Sequence, residues 1–341
     1  MTETSQTKLI PGNSNKSIGS VMRQVLYALI PGTLLMSWIF GWGVLTNLLL
    51  ATLFCLGFEV IAVKCRQRSV KIALSDYSAV VTAWLLAISL PPMMPWWMLM
   101  IGCCFAIIVA KHFYGGIGNN PFNPAMVGYV VLLIAYPLQM TQWLAPSHLV
   151  EQLPSLSHTL AVVFAGADLG IDTITMATPL DTMKTDLGLS KTLSEIRSTA
   201  LFGNLAGAGW EWIAALYALG GLYLVYLKII PWQTPLALIA GMGVMATVFT
   251  LAMPDHYAPP TFHIITTGCI LGAFFIATDP VSGCSSTRGR VIFAAGVGAI
   301  AYIIRGWGGY PDGIAFGVLL MNMAAPLIDH YTVPKAYGQS S

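Results

Sequence analysis

Residues 77–110 read YSAVVTAWLLAISLPPMMPWWMLMIGCCFAIIVA, a run without a single Asp, Glu, Lys, Arg or His. Nothing in it favours water, and it is long enough for one or two spans of about 20 apolar residues each. Residues 113–147 and 229–254 are equally free of charge. The whole chain follows suit: of its 341 residues 56% are hydrophobic and only 9% charged. Soluble globular domains carry about 25% charge, so the composition predicts an all-α polytopic membrane protein. A net charge of +2 carries no nucleic-acid signal.

Working outward from that run, hydropathy predicts ten spans, at about 21–40, 44–63, 77–91, 95–110, 124–140, 210–227, 234–253, 262–278, 291–305 and 313–328. The third, fourth, eighth, ninth and tenth are short for a hydrocarbon layer of roughly 30 Å. Several contain Gly or Pro, which is tolerated where neighbouring helices or a cavity satisfy the backbone. The apolar run at 21–40 follows a polar tail and lacks a small-residue cleavage site, so it reads as a retained first span and not as a signal peptide.

Lysine and arginine orient the chain. With the N-terminus in the cytoplasm, Lys8, Lys16, Arg23, Lys64, Arg66, Arg68, Lys71, Lys111, Lys228, Arg288, Arg290 and Lys335 fall on that side. Lys184, Lys191, Arg197 and Arg305 fall on the other. This bias satisfies the positive-inside rule. The expected organisation is a cytoplasmic tail 1–20, a five-span half 21–141, an extracytoplasmic excursion 142–209, a second five-span half 210–330 and a cytoplasmic tail 331–341. The expected location is a bacterial inner membrane. An odd number of spans per half makes the halves antiparallel, and faint likenesses support an inverted repeat: Ser89-Leu90-Pro91-Pro92 against Ala277-Thr278-Asp279-Pro280, and Gly115-Gly116-Ile117-Gly118 against Gly306-Trp307-Gly308-Gly309. Inverted repeats with short, broken helices around a central site are a transporter-like arrangement.

The most polar stretch is Asp172-Thr173-Ile174-Thr175-Met176-Ala177-Thr178-Pro179-Leu180-Asp181, within the excursion. A threonine hydroxyl can form a phosphoester with FMN when a transferase recognises its surroundings. Such an acceptor must be exposed, with small neighbours. Ala177 is small, Pro179 blocks continuation of a preceding helix, and Asp172 and Thr175 offer polar contacts. An ordinary threonine-rich loop has the same composition. No G-x-G-x-x-G fingerprint or Walker lysine is present, so NAD and ATP are expected to bind elsewhere. The six cysteines form no C-x-x-C pair and the histidines no H-x-x-x-H spacing, so neither group predicts a metal site.

Thr175-Met176-Ala177-Thr178 resembles the flavinylation motif, Ser/Thr-Gly-Ala-Thr, of two related membrane proteins. These are the D subunit of the Rnf ion-translocating ferredoxin:NAD oxidoreductase and the B subunit of the sodium-pumping NADH:quinone reductase. Met176 stands where the motif carries Gly. Ser75-Asp76-Tyr77-Ser78, the run from Gly115 to Ala125, Ala277-Thr278-Asp279-Pro280-Val281-Ser282 and Ala325-Pro326-Leu327-Ile328-Asp329 also look like signatures of that family, so the likeness covers roughly 20–330. The short N-terminus and the Pro179-Leu180-Asp181 continuation look more like the Rnf protein. The resemblance implies FMN held covalently by Thr178, with Thr175 and Ala177 beside it, and a relay of electrons coupled to Na+ or H+ movement. It also implies partners: Fe–S membrane subunits, a second covalent-FMN subunit and an NAD-handling subunit.

The loop from Gly115 to Ala125 is a second candidate. Its glycines let a flat ligand approach, and Asn120 and Asn123 offer donors and acceptors to a flavin edge. The resemblance implies a non-covalent riboflavin there, with Asp279 lining the pocket. The same loop also reads as a helix cap, with Asn123 at the N-cap and Pro124 at the first helical position. Acids within or beside spans mark ion paths, so Glu59, Asp312 and Asp329 are the candidates for cation uptake or release. Against that, Glu59 has Lys64 nearby, and Asp312 and Asp329 lie where interfacial water is expected. Two other readings remain: the quinone-reductase protein of the same family, and a flavin-free channel or solute transporter on the same scaffold.

Overall fold

The structure, a computed structural model, describes residues 17–166, 175–310 and 312–333. Asp172, Lys8, Lys16 and Lys335 lie outside the described residues. Each of the ten predicted spans is helical: α1 (Ile18–Phe40), α2 (Trp42–Cys65), α3 (Ser78–Ser89), α4 (Trp96–His112), α5 (Pro124–Ala135), α6 (Trp210–Tyr226), α7 (Gln233–Ala252), α8 (Thr267–Ile276), α9 (Thr287–Trp307) and α10 (Ile314–Thr332). By length and composition α1, α2, α7, α9 and α10 are long and apolar enough to cross a membrane. Leu34, Trp38, Leu49, Leu251 and Met323 are each largely exposed, as expected where lipid replaces water around the outer helix faces. The chain is an all-α polytopic membrane protein.

Local sequence sets the helix ends. The Ser17 hydroxyl caps α1 by accepting from Ser20 N, and Gly41, at φ +77°, turns the chain into α2. Asn123 caps α5 by accepting from Met126 N, with Pro124 in the first turn, so the helix-cap reading of that loop holds. The eighth span differs from its predicted form. It is broken into Pro260–Ile264 and α8, and the break falls at Ile265–Thr266 and not at a Gly or Pro. Thr266 supplies the cap for the second piece by accepting from Cys269 N. Pro31 and Pro326 sit inside continuous helices.

Two π-helical segments have no sequence signature. They run from Phe105 to His112 in α4 and from Gly272 to Ile276 in α8. A π turn widens the helix by one residue per turn and rotates the residues beyond it, and it recurs at functional sites. In α4 the segment ends on Lys111 and His112.

The halves share one packing pattern. In the first, α2 packs on α3 and α4, α3 on α1 and α5, and α4 on α5. In the second, α7 packs on α8 and α9, α8 on α6 and α10, and α9 on α10. Across the middle, α1 meets α6 and α5 meets α10. Without a hydrophobic drive inside lipid, such contacts depend on close backbone approach at small residues. A Cβ on Gly220 would stand 2.1 Å from the Ala28 carbonyl oxygen, and one on Gly32 would stand 2.5 Å from the Tyr217 ring. Tyr217 is fully buried between α1 and α6, its hydroxyl 3.2 Å from Thr33 Oγ1.

The excursion has its own small core, in which Met183, Ile196, Leu201, Phe202 and Ala206 pack with Ala258 and Phe262. Within it a short antiparallel pair joins β1 (Trp143–Leu144) to β2 (Thr175–Met176), with Trp143 facing Met176 and packing edge-on against Phe40 of α1.

Candidate functional site

Strand β2 delivers Thr178. Its backbone is extended, and its Oγ1 accepts from Asp181 N at 3.3 Å, making Thr178 the N-cap of a helix over Pro179–Gly188. Pro179 therefore does not end a preceding helix, as its sequence context suggested; it opens this one, because the missing N–H is no loss in a first turn. Pro179 is buried against Gly207, where a Cβ would stand 2.2 Å from its ring. Ala177 is exposed and Thr175 and Thr178 are half-buried. Lys184, on the same helix, donates to the Gly308 and Tyr310 carbonyls in the loop before α10. Burial pushes the Asp181 carboxyl above its ordinary 3.8, with Lys184 opposing. Burial likewise pushes the Lys184 ammonium down, opposed by Asp181.

Thr178 opens onto a cleft of about 1120 Å³. Its walls include Trp143 and Trp210, Tyr129 of α5, Ile88 and Ser89 at the C-terminal end of α3, Thr267 at the N-terminal end of α8, and Asp312. Trp210 Nε1 is buried without a hydrogen-bond partner among the described residues. Behind Asp312 lies Arg305, whose Nε and Nη2 stand 3.2 and 3.1 Å from Asp312 Oδ1. The guanidinium also donates to the His263 carbonyl and to Thr266 Oγ1. Asp312 is thus a cleft-lining carboxylate in an ion pair, its side chain 25% exposed.

A second cleft, of about 930 Å³, uses the opposite ends of the same helices. Ser78 at the N-terminal end of α3 and Thr278 and Asp279 just beyond α8 line it, so α3 and α8 run antiparallel between the two clefts. Asn120, Asn123 and Asp279 all line this cleft together with Lys111. The glycines at 115, 116 and 118 each have φ of +90° or more, a conformation that other residues rarely adopt. Asn120 donates to the Phe122 carbonyl at 3.0 Å. Asn123 is committed to structure: besides capping α5, it donates through Nδ2 to the Ile276 carbonyl, and its backbone N–H donates to Asn322 Oδ1. Asp279 accepts from Val281 N and Ser282 Oγ, and burial pushes its carboxyl up against those bonds.

Glu59 is 2% exposed, and its partner is not Lys64. Lys111 Nζ lies 2.8 Å from both carboxylate oxygens and 2.8 Å from Ser78 Oγ, and His112 Nε2 lies 3.1 Å from Oε2. A buried carboxylate needs such neutralisation, and the π turn of α4 swings Lys111 into place. Asp329 is held apart from both clefts: its two oxygens accept from Ser285 N, joining α10 to the start of α9. Lys111 and Arg305 count only as flanking charges in the sequence, yet both are buried in the membrane halves. The available signal is their position, each within or directly after a run otherwise free of charge.

An all-α membrane protein of two like-packed halves, with a cleft toward each end and a helix-capping threonine at one mouth, is the class that fold and site define. The chain belongs to the NQR2, RnfD, RnfE family, whose model matches residues 12–338. It is similar to proteins named as the D subunit of an ion-translocating oxidoreductase complex. That of Vibrio cholerae serotype O1 is 49% identical over 335 residues, 95% of this chain and 96% of the relative. Those of Alcanivorax borkumensis and Escherichia fergusonii are 47% and 44% identical, over 100% and 96% of this chain and 97% and 96% of theirs.

Proposed function

We propose that this chain is the D subunit of an ion-translocating oxidoreductase complex and holds FMN as a phosphoester on Thr178 Oγ1. One observation carries the reading: the Thr178 hydroxyl stands at once at the N-terminus of a helix and at the mouth of an aromatic-walled cleft. A phosphate esterified there meets the positive dipole end of the Pro179–Gly188 helix, worth about 0.3–1 kcal/mol at an exposed site. Trp143, Trp210 and Tyr129 line the cleft, aromatic walls suited to flank a three-ring system. FMN, when bound, supplies one- and two-electron redox chemistry. The chain's own part is to seat it, to shield it from water and to place charge around it.

The Asn120 cleft fits a second, non-covalent flavin such as riboflavin, with the Asn120 amide in its wall. Glu59 and Asp312, each paired with a buried cation, are the acids we assign to Na+ or H+ movement; Asp329, bound to backbone, is the weakest of the three. We place the chain in a bacterial inner membrane with both termini cytoplasmic and the Thr178 cleft on the periplasmic side. Fe–S membrane subunits, a second covalent-FMN subunit and an NAD-handling subunit are its proposed partners.

Mass spectrometry of the peptide containing Thr178, from protein expressed with its flavin-attaching enzyme, tests this. The expected peptide carries the added mass of FMN, and its band fluoresces on a denaturing gel. A Thr178→Ala variant that inserts normally should give a dark band. A bare wild-type peptide would sink the redox assignment and leave a solute conduit as the better reading.

A further inference from the structure

Helices α4 and α9 occupy the same place in their respective halves, and each ends in a buried cation. Lys111 is 3% exposed and Arg305 4%. Each donates to a hydroxyl where the third helix of its half begins: Lys111 to Ser78 Oγ at the start of α3, and Arg305 to Thr266 Oγ1, the cap of α8. Each also meets one acid, Glu59 at 2.8 Å and Asp312 at 3.1 Å. With side chains 4% and 2% exposed, neither cation reaches out to the lipid–water boundary.

The two ion pairs face their clefts with opposite ends. Lys111 lines the Asn120 cleft while Glu59 stands behind it; Asp312 lines the Thr178 cleft while Arg305 stands behind it. Asp181 adds a second carboxylate to the Thr178 cleft. The carboxylate on the wall of the Asn120 cleft, Asp279, is tied into its own turn by Val281 N and Ser282 Oγ. Among the described residues, the charged side chains lining one cleft are therefore Lys111, ion-paired with Glu59, and Asp279, held in its turn; those lining the other are Asp181 and Asp312, the latter ion-paired with Arg305.

We infer that Lys111 is a positioning residue for the Asn120 cleft, placing a fixed positive charge against a planar redox ligand so that the ligand's reduced, more negative state is favoured there. Opposite charge at short range stabilises a charged form, and the low-dielectric surroundings of a membrane interior magnify the effect. Ser78 and Glu59 hold the ammonium at the cleft wall, and the π turn of α4 aims it. The inference rests on the reading that this cleft holds a non-covalent flavin.

Potentiometric titration of the purified complex, following covalent and non-covalent flavin separately, tests it. Lys111→Gln should lower the midpoint potential of the non-covalent flavin and leave that of the Thr178-bound flavin in place. Lys111→Arg should restore it, and Glu59→Gln, which removes the opposing charge, should move it upward. If Lys111→Gln fails to assemble because Glu59 is left unpaired, the double variant Glu59→Gln/Lys111→Gln removes both charges and should still lower the potential. A non-covalent flavin whose potential none of the lysine variants to glutamine moves overturns the inference alone, even if flavin content falls. A wild-type complex containing only covalent flavin overturns the cleft reading and the inference together.

Discussion

Lys184 Nζ lies 2.9 Å from the carbonyl oxygen of Tyr310. One end of that bond belongs to the helix capped by Thr178, the other to the loop that leads into α10. Thr178 is thereby braced against the second membrane half, while β2, which leads into it, pairs with β1, whose Trp143 packs against Phe40 of α1. Removing a charged donor from such a bond costs about 1.5–3 kcal/mol. Lys184→Met should therefore raise amide hydrogen exchange over 179–188 by roughly tenfold or more, since 1.4 kcal/mol corresponds to a factor of about ten. Unchanged exchange would mean that the small core beneath the helix holds it unaided.

Gly207 sets the position of Pro179. A Cβ there would meet the proline ring at 2.2 Å, and overpacking of this kind costs about 1–3 kcal/mol. Gly207→Ala is expected to displace Thr178 and cut the yield of covalent flavin while the protein still inserts. Comparing in-gel fluorescence per unit protein with the wild type reads this directly, and equal fluorescence would show that the acceptor tolerates the shift.

Glu59 and Asp329 should separate in an ion-transport assay. Glu59 is buried with Lys111, whereas Asp329 is spent on Ser285 N. In reconstituted vesicles, Glu59→Gln is expected to reduce cation movement more than electron transfer, and Asp329→Asn to reduce both equally by loosening the α9–α10 junction. Equal losses from Glu59→Gln would assign it to structure as well.

Asn120 and Asn123 are not equivalent, although the sequence offers them as a pair. Asn120→Ala should lower non-covalent flavin content and leave thermal stability near that of the wild type, since its amide bonds only within its own loop. Asn123→Ala breaks the side-chain bond to the Ile276 carbonyl and removes the α5 cap, a loss of about 1 kcal/mol for the cap alone. Its thermal midpoint should fall whether or not flavin is bound, and an Asn120→Ala protein with full flavin content would remove that side chain from the site.

Asp181 gives the excursion a pH dependence. Its carboxyl is raised by burial, so the folded state holds its proton more tightly than the unfolded chain does. Its contribution is fully present below the ordinary carboxylate value and is lost as pH rises through the raised one. Exchange over 179–188 should thus quicken with pH in that window beyond its intrinsic dependence. Asp181→Asn should flatten the extra slope, and an unaltered slope would place the titration elsewhere.

Much of the architecture is legible in residues 77–110 and their like, because a charge-free run of that length has one stable home and one way to satisfy its backbone there. The ten segments, the Asn123 cap and the threonine string all follow from local composition. The break at Ile265–Thr266 and the π turns do not, because they answer to neighbours distant in sequence: Thr266 to Arg305, and the end of α4 to Glu59.

Local chemistry decided that this chain enters the membrane and where its helices begin, since hydropathy and capping act over a few residues. Tertiary structure alone decided that Glu59 pairs with Lys111 and not Lys64, that Asp312 meets Arg305, and which end of each pair faces a cleft. A buried charge takes whatever partner packing brings within about 3 Å, and only the assembled helices determine that.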